Sequence, residues 1–355
     1  MVKDWQRLIP QLQKVLDDSV SSGEECGLQL AIYDGGKLVV DLASGTDSPD
    51  GAPVTQDSLF PIFSCGKGVL TTAMHRLVEK GLIDYDTRIG DVWPEFACNG
   101  KEDVRLWHIM THRAGLQGLP KYGHLHELAD WRLMCDRMAA AEPAWTPGTK
   151  CAYHAITFAW LMGETATRVT GKPVRQVVID EVLKPLGIDN DFFFGTTDDA
   201  DQRFVPINAS RFPKGNWCAD FINDPVIRHA VIPSANGVTN ARALARHYAT
   251  LIGEVDGVRL LSQKTIENAT FLRRANDDPP INTWAKFGLG YALCGPAADM
   301  GCRFGHGGAA GAEGFADKAN GIALAFTKNK PLPSHPIHPI RDRISEVLGL
   351  PRRVW

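Results

Sequence analysis

Residues 61–70 read PIFSCGKGVL and place a serine and a lysine three positions apart, at Ser64 and Lys67. The stretch SLFPIF (58–63) that leads into the pair is typical of a β-strand, and a helical pattern follows directly. Ser64 is therefore predicted at a helix N-terminus, where unpaired backbone N–H groups favour developing negative charge. Because residues three apart share one face of a helix, the Lys67 amine can reach the Ser64 hydroxyl.

The Ser64–Lys67 pair allows two interpretations. In the first, Ser64 caps the helix and Lys67 is a solvated surface residue. In the second, Ser64 is a nucleophile and Lys67 is its activating amine, which requires burial or neighbouring positive charge to lower the lysine pKa. The pair alone does not decide between them, because a chain of this length contains about one such spacing by chance.

Two later segments carry residues suited to the same chemistry. TPGTKCAYHAITFAW (146–160) places Tyr153 between a turn and a helix, either as a proton-transfer group facing a cleft or as an ordinary half-buried aromatic. FGHGGAAG (304–311) follows a strand-like segment, and its small residues allow close backbone approach to a substrate. The alternative for this segment is a glycine-rich hairpin with an exposed His306.

The three segments together, in this order and spacing, resemble the motifs of the serine β-lactamase/penicillin-binding-protein superfamily. The resemblance is to its class C β-lactamase-like branch, which includes the family VIII carboxylesterases. The family motifs are SxxK, then YxN or YxS, then KTG, HxG or WGG on a late strand. Here they read SCGK (64–67), YHA (153–155) and HGG (306–308), and LWHIMTHRAGL (106–116) and PSANGVTNARALARHYATL (233–251) are similar to two further family segments.

The resemblance implies a role for each motif residue. Ser64 would be the nucleophile, Lys67 the base that activates it, and Tyr153 the group that relays the proton to the leaving group. Which of Lys67 and Tyr153 is the general base stays open at this point. The resemblance also implies an oxyanion hole formed by the backbone N–H groups of Ser64 and Ala309. The implied substrate-binding residues are His306, Gly307 and Gly308.

Two departures from the family pattern narrow the expected substrate. Ala155 stands where β-lactamases use a polar side chain, and His306 stands where they keep a lysine that binds the substrate carboxylate. Histidine is largely neutral near pH 7, so both changes weaken recognition of an anionic β-lactam or peptide. The sequence therefore predicts a serine carboxylesterase that forms an acyl-enzyme on Ser64. The alternatives are a β-lactamase or D-amino-acid peptidase of the same fold, and a non-catalytic binding protein.

Strand signals lie at both ends of the chain, and helical signals fill its middle. This distribution, with the resemblance, predicts an α/β fold of the β-lactamase/transpeptidase type, in which an antiparallel sheet is flanked by helices. Strands are predicted within 28–45, where Asp34-Gly35-Gly36 indicates a hairpin turn, and within 286–329. Helices are predicted at 4–22, 68–82, 104–116, 155–172, 237–253 and 341–350, with Thr239 or Asn240 as the N-cap of the helix at 237–253. The predicted domains are a discontinuous sheet domain (1–65 and 231–355) and an inserted helical domain (66–230), with the active site in the cleft between them.

Composition and the remaining patterns disfavour several other classes. The net charge of −3 gives no long-range attraction to nucleic acid, and no stretch approaches the roughly 20 apolar residues that a membrane span needs. The N-terminal segment lacks the apolar core of a secretion signal, which predicts a cytoplasmic protein. His108 and His112 have a spacing that metal ligands use, but no glutamate follows His108 as in HExxH. The expected partner is a small-molecule ester, without a metal or organic cofactor.

Residues around the proposed nucleophile carry two further predictions. Consecutive helix residues diverge by about 100°, so Cys65 is expected to point into the core and away from the substrate. Several aromatic side chains could line the acyl pocket, and each could equally belong to the core. These are Trp107, Trp131, Trp217, Phe221 and Trp284. The oligomeric state is not predicted.

Overall fold

An antiparallel sheet of six strands is the centre of the computed structural model, which describes residues 3–48, 51–212, 215–273, 286–295, 299–332 and 339–350. The described residues contain β1 (Gly27–Asp34), β2 (Lys37–Gly45), β3 (Phe60–Phe63), β4 (Phe192–Phe194), β5 (Gly237–Thr239), β6 (Ala292–Cys294), β7 (Arg303–Gly307), β8 (Glu313–Asp317) and β9 (Ile322–Lys328). The large sheet has the order β2-β1-β9-β8-β7-β6, so strands from the two ends of the chain lie side by side in its middle. The predicted antiparallel sheet is confirmed.

Helices cover both faces of this sheet. The described α-helices are α1 (Trp5–Ser21), α2 (Gly66–Glu79), α3 (Ile89–Val92), α4 (Leu106–Met110), α5 (Trp131–Ala140), α6 (Phe158–Thr170), α7 (Val174–Val178), α8 (Lys184–Leu186), α9 (Asp198–Asp201), α10 (Trp217–Ile222), α11 (Pro225–His229), α12 (Ala241–Ile252), α13 (Gln263–Ala269) and α14 (Pro339–Val347). On one face α1 and α14 bury Leu12, Leu16 and Ile344. On the other, α12 packs so closely that Leu244 lies directly against Gly314 of β8.

Most of the local sequence signals are confirmed. The hairpin predicted around Gly35 and Gly36 joins β1 to β2, and both glycines adopt the positive φ (54° and 81°) that a tight hairpin turn requires. The helices predicted at 4–22, 68–82, 155–172, 237–253 and 341–350 correspond to α1, α2, α6, α12 and α14. Asn240 caps α12, because its side chain accepts a hydrogen bond from the Ala243 N–H at 2.8 Å.

The helix predicted at 104–116 is wrong over most of its length. The structure forms only the short α4 in this segment. The chain leaves the helix because His112 adopts a left-handed conformation with φ of 58°, and Gly115 follows with φ of 76°. The apolar periodicity of the segment reflects burial in an irregular loop, since Ala114 and Leu116 are buried without being helical.

A second, small sheet carries the chain into the SxxK motif. Strand β5 lies in its middle and pairs antiparallel with β3 on one side and β4 on the other. At the end of β3, Phe63 has a positive φ of 47°, a costly conformation for a bulky residue. This sharp change of direction leads from β3 through Ser64 and Cys65 into α2.

Among the described residues, none of the helices combines the length and apolarity that would be needed to cross a bilayer. The division of the chain into domains at 65/66 and 230/231 stays a prediction. Strand β4 comes from the segment assigned to the helical domain and pairs with β5 of the segment assigned to the sheet domain. Backbone hydrogen bonds therefore join the two predicted domains next to the SxxK motif.

Candidate active site

Lys67 is completely buried, which rules out the interpretation of a solvated surface lysine. The first residue of α2 is Gly66, and Ser64 lies just before the helix. The Lys67 Nζ is 3.0 Å from the Ser64 Oγ, so the two side chains of the motif are in direct hydrogen-bond contact.

Two backbone carbonyls hold the Lys67 amine in place. Its Nζ donates to the Ala155 carbonyl oxygen at 2.6 Å and to the Ser234 carbonyl oxygen at 2.9 Å. Burial lowers the pKa of Lys67 well below its ordinary value. A neutral amine has two N–H donors and one lone pair, so donation to both carbonyls leaves the lone pair for the Ser64 hydroxyl. The arrangement fits a base that accepts the serine proton.

Tyr153 lies beside both members of this pair, on the short loop before α6. The Lys67 Nζ is 4.9 Å from the centroid of the Tyr153 ring. Burial raises the pKa of the Tyr153 phenol above its ordinary value, and a hydrogen bond with the Ser64 side chain acts in the opposite direction. Tyr153 is therefore protonated near neutral pH and is suited to donating that proton.

His306, on β7, completes the cluster. Its Nδ1 is 2.7 Å from the Gly307 carbonyl oxygen, which assigns a proton to Nδ1, and its Nε2 is 3.4 Å from the Tyr153 hydroxyl. Burial lowers the pKa of His306 to about 3. The imidazole is thus neutral near pH 7, and its Nε2 is an acceptor facing Tyr153.

The turn after β7 packs against the residues that flank Ser64. The Gly308 N–H donates to the Ala312 carbonyl at 2.7 Å, and Gly308 itself lies against the Ile62 carbonyl oxygen with no room for a side chain. From the other side, the Cys65 Sγ donates to the His306 carbonyl at 3.2 Å and lies 3.3 Å from the Ala312 carbonyl. The prediction that Cys65 points into the core is confirmed, since it is fully buried.

The backbone N–H groups of Ser64 and Ala309 have no hydrogen-bond acceptor within the parts of the chain that the structure describes. Ala309 is exposed on the turn after β7, and Ser64 lies in the turn between β3 and α2. The packing of Gly308 on Ile62 brings this turn next to the nucleophile segment. Two free donors in neighbouring turns are the kind of group that binds a developing oxyanion.

Gly308→Ala is expected to lower ester hydrolysis by about tenfold or more, because the added methyl group would displace the turn from the Ile62 carbonyl. Gly118→Ala is the matched control, since a methyl group there would meet no other atom within 4 Å. The measurement is kcat for p-nitrophenyl butyrate together with the Tm of both variants. Equal activity in the two variants would show that the close approach at Gly308 has no role.

The sequence motifs do not indicate which backbone carbonyls bind Lys67. Ser234 stands in the sequence only as part of a small-residue segment, yet its carbonyl binds Lys67 and its Oγ donates to the Ile156 carbonyl at 2.8 Å.

Of the candidate pocket aromatics, Phe221 is buried, Trp107 and Trp131 are half-buried, and Trp284 lies outside the described residues. Trp217 is 48% exposed, and its ring centroid lies 6.1 Å from that of Phe63, the residue before Ser64.

His108 and His112 each accept a hydrogen bond from a backbone N–H group. The Nδ1 of His108 accepts the Arg105 N–H at 3.0 Å, and the Nδ1 of His112 accepts the His154 N–H at 3.1 Å. Within the described ranges, no three His, Cys, Asp or Glu side chains are grouped so that they could hold a metal ion.

The geometry of the site agrees with a family that spans nearly the whole chain. The family model described as Beta-lactamase matches residues 6–347. The chain belongs to the Beta-lactamase family. The resemblance based on the three motifs is thereby confirmed.

Individual members of the Beta-lactamase family share much of this sequence and fold. The esterase/beta-lactamase LipL of Mycobacterium tuberculosis (strain ATCC 25618 / H37Rv) is 36% identical over 333 residues, which cover 86% of this chain and 77% of LipL. The structure of a family VIII carboxylesterase is 31% identical, with a TM-score of 0.86 and 96% of each chain covered. A penicillin-binding protein homologue from Caulobacter crescentus is 30% identical, with a TM-score of 0.84 over 96% of this chain and 97% of the homologue. The predicted fold class is confirmed, and the chain is a hydrolase of the β-lactamase fold.

Proposed function

We propose that this protein is a serine hydrolase that cleaves uncharged carboxylic esters through a covalent acyl-enzyme on Ser64. The observation that carries the proposal is the position of the Lys67 amine, which two backbone carbonyls hold 3.0 Å from the Ser64 hydroxyl. A buried amine with a lowered pKa in that position can activate a serine, whereas a solvated lysine cannot.

In the proposed acylation step, the Ser64 Oγ attacks the ester carbonyl carbon and its proton passes to the Lys67 Nζ. The backbone N–H groups of Ser64 and Ala309 would stabilise the negative charge that forms on the carbonyl oxygen. As the carbon–oxygen bond to the alcohol breaks, the Tyr153 hydroxyl gives its proton to the leaving oxygen and takes one from the Lys67 ammonium. In deacylation, water attacks the acyl carbon as one of its protons passes to the neutral Lys67 amine. The bond between the acyl carbon and the Ser64 Oγ then breaks, Lys67 returns the proton to the Oγ, and the acid leaves.

The charge distribution of the site favours an uncharged substrate. His306 occupies the motif position of the β-lactamase lysine, and its burial keeps it neutral. Ala155 contributes only its carbonyl, which is already occupied by Lys67. Neither residue offers a fixed positive charge, and the Nδ1–H of His306 is already directed at the Gly307 carbonyl, so no side-chain donor is left for a substrate carboxylate. Simple esters should therefore be better substrates than anionic β-lactams or peptides.

A panel of four reagents tests the proposal and separates its alternatives. These are p-nitrophenyl acetate, p-nitrophenyl butyrate, nitrocefin and a fluorophosphonate probe, each applied to the wild-type protein and to Ser64→Ala. We expect turnover of both esters, labelling by the probe, and loss of each in the variant. Faster hydrolysis of nitrocefin than of the esters would favour a β-lactamase, an activity that the name of LipL includes. A wild-type protein that neither reacts with the probe nor hydrolyses an ester would be a non-catalytic member of the fold.

Tyr153→Phe is expected to lower kcat for p-nitrophenyl butyrate by roughly a hundredfold, because the variant loses the hydroxyl that donates a proton to the leaving group. Tyr85→Phe is the matched control, since its hydroxyl makes a comparable hydrogen bond to the His75 Nδ1 at 2.8 Å, away from Ser64. If both variants keep the wild-type kcat, the assigned role of Tyr153 is wrong.

A further inference from the structure

His112 adopts a backbone conformation that is uncommon for residues other than glycine. Its φ of 58° is left-handed, it is not a glycine, and it is almost completely buried. Such a conformation persists only where the surrounding structure stabilises it. The contacts of His112 with the loop that carries Tyr153 explain why it is retained.

Two hydrogen bonds from this loop converge on His112, one from each neighbour of Tyr153. The Ala152 N–H donates to the His112 carbonyl oxygen at 3.0 Å. The His154 N–H donates to the His112 Nδ1 at 3.1 Å. One residue therefore binds the backbone on both sides of Tyr153, through its carbonyl oxygen on one side and its ring nitrogen on the other.

The His112 ring also touches the Tyr153 ring directly. Their centroids are 4.9 Å apart at an interplanar angle of 63°, an edge-to-face contact. Phe287 packs on the His112 ring at 4.3 Å and lies parallel to Tyr153 at 6.0 Å. The Tyr153 ring therefore contacts two rings that also contact each other, so its plane is fixed by packing.

The acceptor role of the ring requires an unprotonated Nδ1. Burial is the main cause that lowers the pKa of His112 well below its ordinary value. His154 is fixed as well, because its Nε2 accepts the Leu116 N–H at 3.1 Å and its Nδ1 lies 2.7 Å from the Ala152 carbonyl.

We propose that His112 is a positioning residue for Tyr153, which fixes the place of the phenol by binding the backbone N–H groups of Ala152 and His154. The inference rests on the proposed role of Tyr153 in proton transfer. The spacing of His112 from His108, which is one that metal ligands use, does not indicate this role. The SxxK, tyrosine and HGG motifs do not indicate it either.

Two substitutions separate the parts of this interaction. His112→Asn keeps a short side-chain acceptor on a residue that tolerates a left-handed φ, and it removes the ring. His112→Phe keeps an aromatic ring and removes the acceptor. We expect His112→Phe to lower kcat for p-nitrophenyl butyrate by about tenfold or more with KM changed by less than about threefold, and His112→Asn to stay within about threefold of the wild-type kcat.

A double-variant cycle distinguishes positioning of Tyr153 from a general structural role. If His112 acts through Tyr153, His112→Phe should cause little further loss in a Tyr153→Phe background. The same fold-loss in both backgrounds, or wild-type kcat in His112→Phe, would overturn the inference while leaving the proposed function intact. Should His112→Phe fail to fold, His112→Gly removes the acceptor and accepts the left-handed φ without strain, and it replaces His112→Phe in the cycle.

Hydrogen exchange measured by mass spectrometry tests the interaction without a substrate. In the wild-type protein and in His112→Asn, the amides in the peptide 150–158 should exchange slowly, and His112→Phe or His112→Gly should speed their exchange about tenfold or more. Rapid exchange of this peptide in the wild-type protein would contradict the inference even if no ester were hydrolysed. Absence of ester hydrolysis with slow exchange would instead contradict the proposed function alone.

Discussion

Ser64→Ala is expected to reduce the hydrolysis of p-nitrophenyl butyrate by at least about 10⁴-fold and to abolish labelling by a fluorophosphonate. Without the Oγ there is no atom on which an acyl-enzyme can form. The Lys67 amine keeps its bonds to the Ala155 and Ser234 carbonyls, so the surrounding structure should be preserved. The measurements are kcat/KM, the mass shift on labelling, and Tm.

Ser262→Ala is a suitable control for this variant. Ser262 caps α13, where its side chain accepts the Thr265 N–H, and it is exposed far along the chain from the site. Its loss should lower the free energy of unfolding by about 1 kcal/mol and leave kcat unchanged. Residual activity above about 1% of wild type in a purified Ser64→Ala protein would mean that Ser64 is not the nucleophile.

Lys67→Met is expected to lower kcat for the same ester by roughly 10³-fold, because methionine fills the buried space of lysine but cannot accept the Ser64 proton. In the wild-type protein kcat/KM should fall as the pH drops through the pKa of Lys67, since an ammonium group has no lone pair. The lowered pKa of Lys67 extends the active range to lower pH than an ordinary lysine would allow. The fall in kcat/KM below this pKa should be absent from the residual activity of Lys67→Met.

Lys101→Met provides the matched control for the loss of a buried lysine. Lys101 is also completely buried, and its Nζ donates to the backbone carbonyls of Cys98 and Ala141. It therefore reproduces the structural change without touching Ser64. If Lys67→Met and Lys101→Met lower kcat equally, the effect arises from folding and Lys67 is not the base.

The parts of the molecule that the sequence predicted correctly are those with a local signature. The hairpin at Gly35 and Gly36 depends on two residues that accept a positive φ, and α12 begins at the asparagine that caps it. The SxxK motif was recognisable because two residue types and their spacing along the chain define it. The burial of Lys67 was only one of two interpretations, because it depends on residues far along the chain.

The parts that could not be predicted depend on backbone atoms brought together by the fold. The carbonyls of Ala155 and Ser234 hold Lys67, and any residue type supplies a carbonyl. The early end of α4 likewise depends on contacts with a distant part of the chain. The left-handed φ of His112 is stabilised by the loop that carries Tyr153, some 40 residues later, whereas the periodicity of the segment alone favours a longer helix.

The pairing of β1 with β9 has a consequence for synthesis of the chain on the ribosome. Leu30 of β1 pairs with Phe326 of β9, so one edge of β1 stays unpaired until almost the whole chain has been made. At typical rates of 5–20 residues per second, the interval is on the order of 15–60 s. During this time the apolar residues of β1 are exposed to other nascent chains. Chaperones that bind extended apolar segments should therefore increase the yield of folded protein.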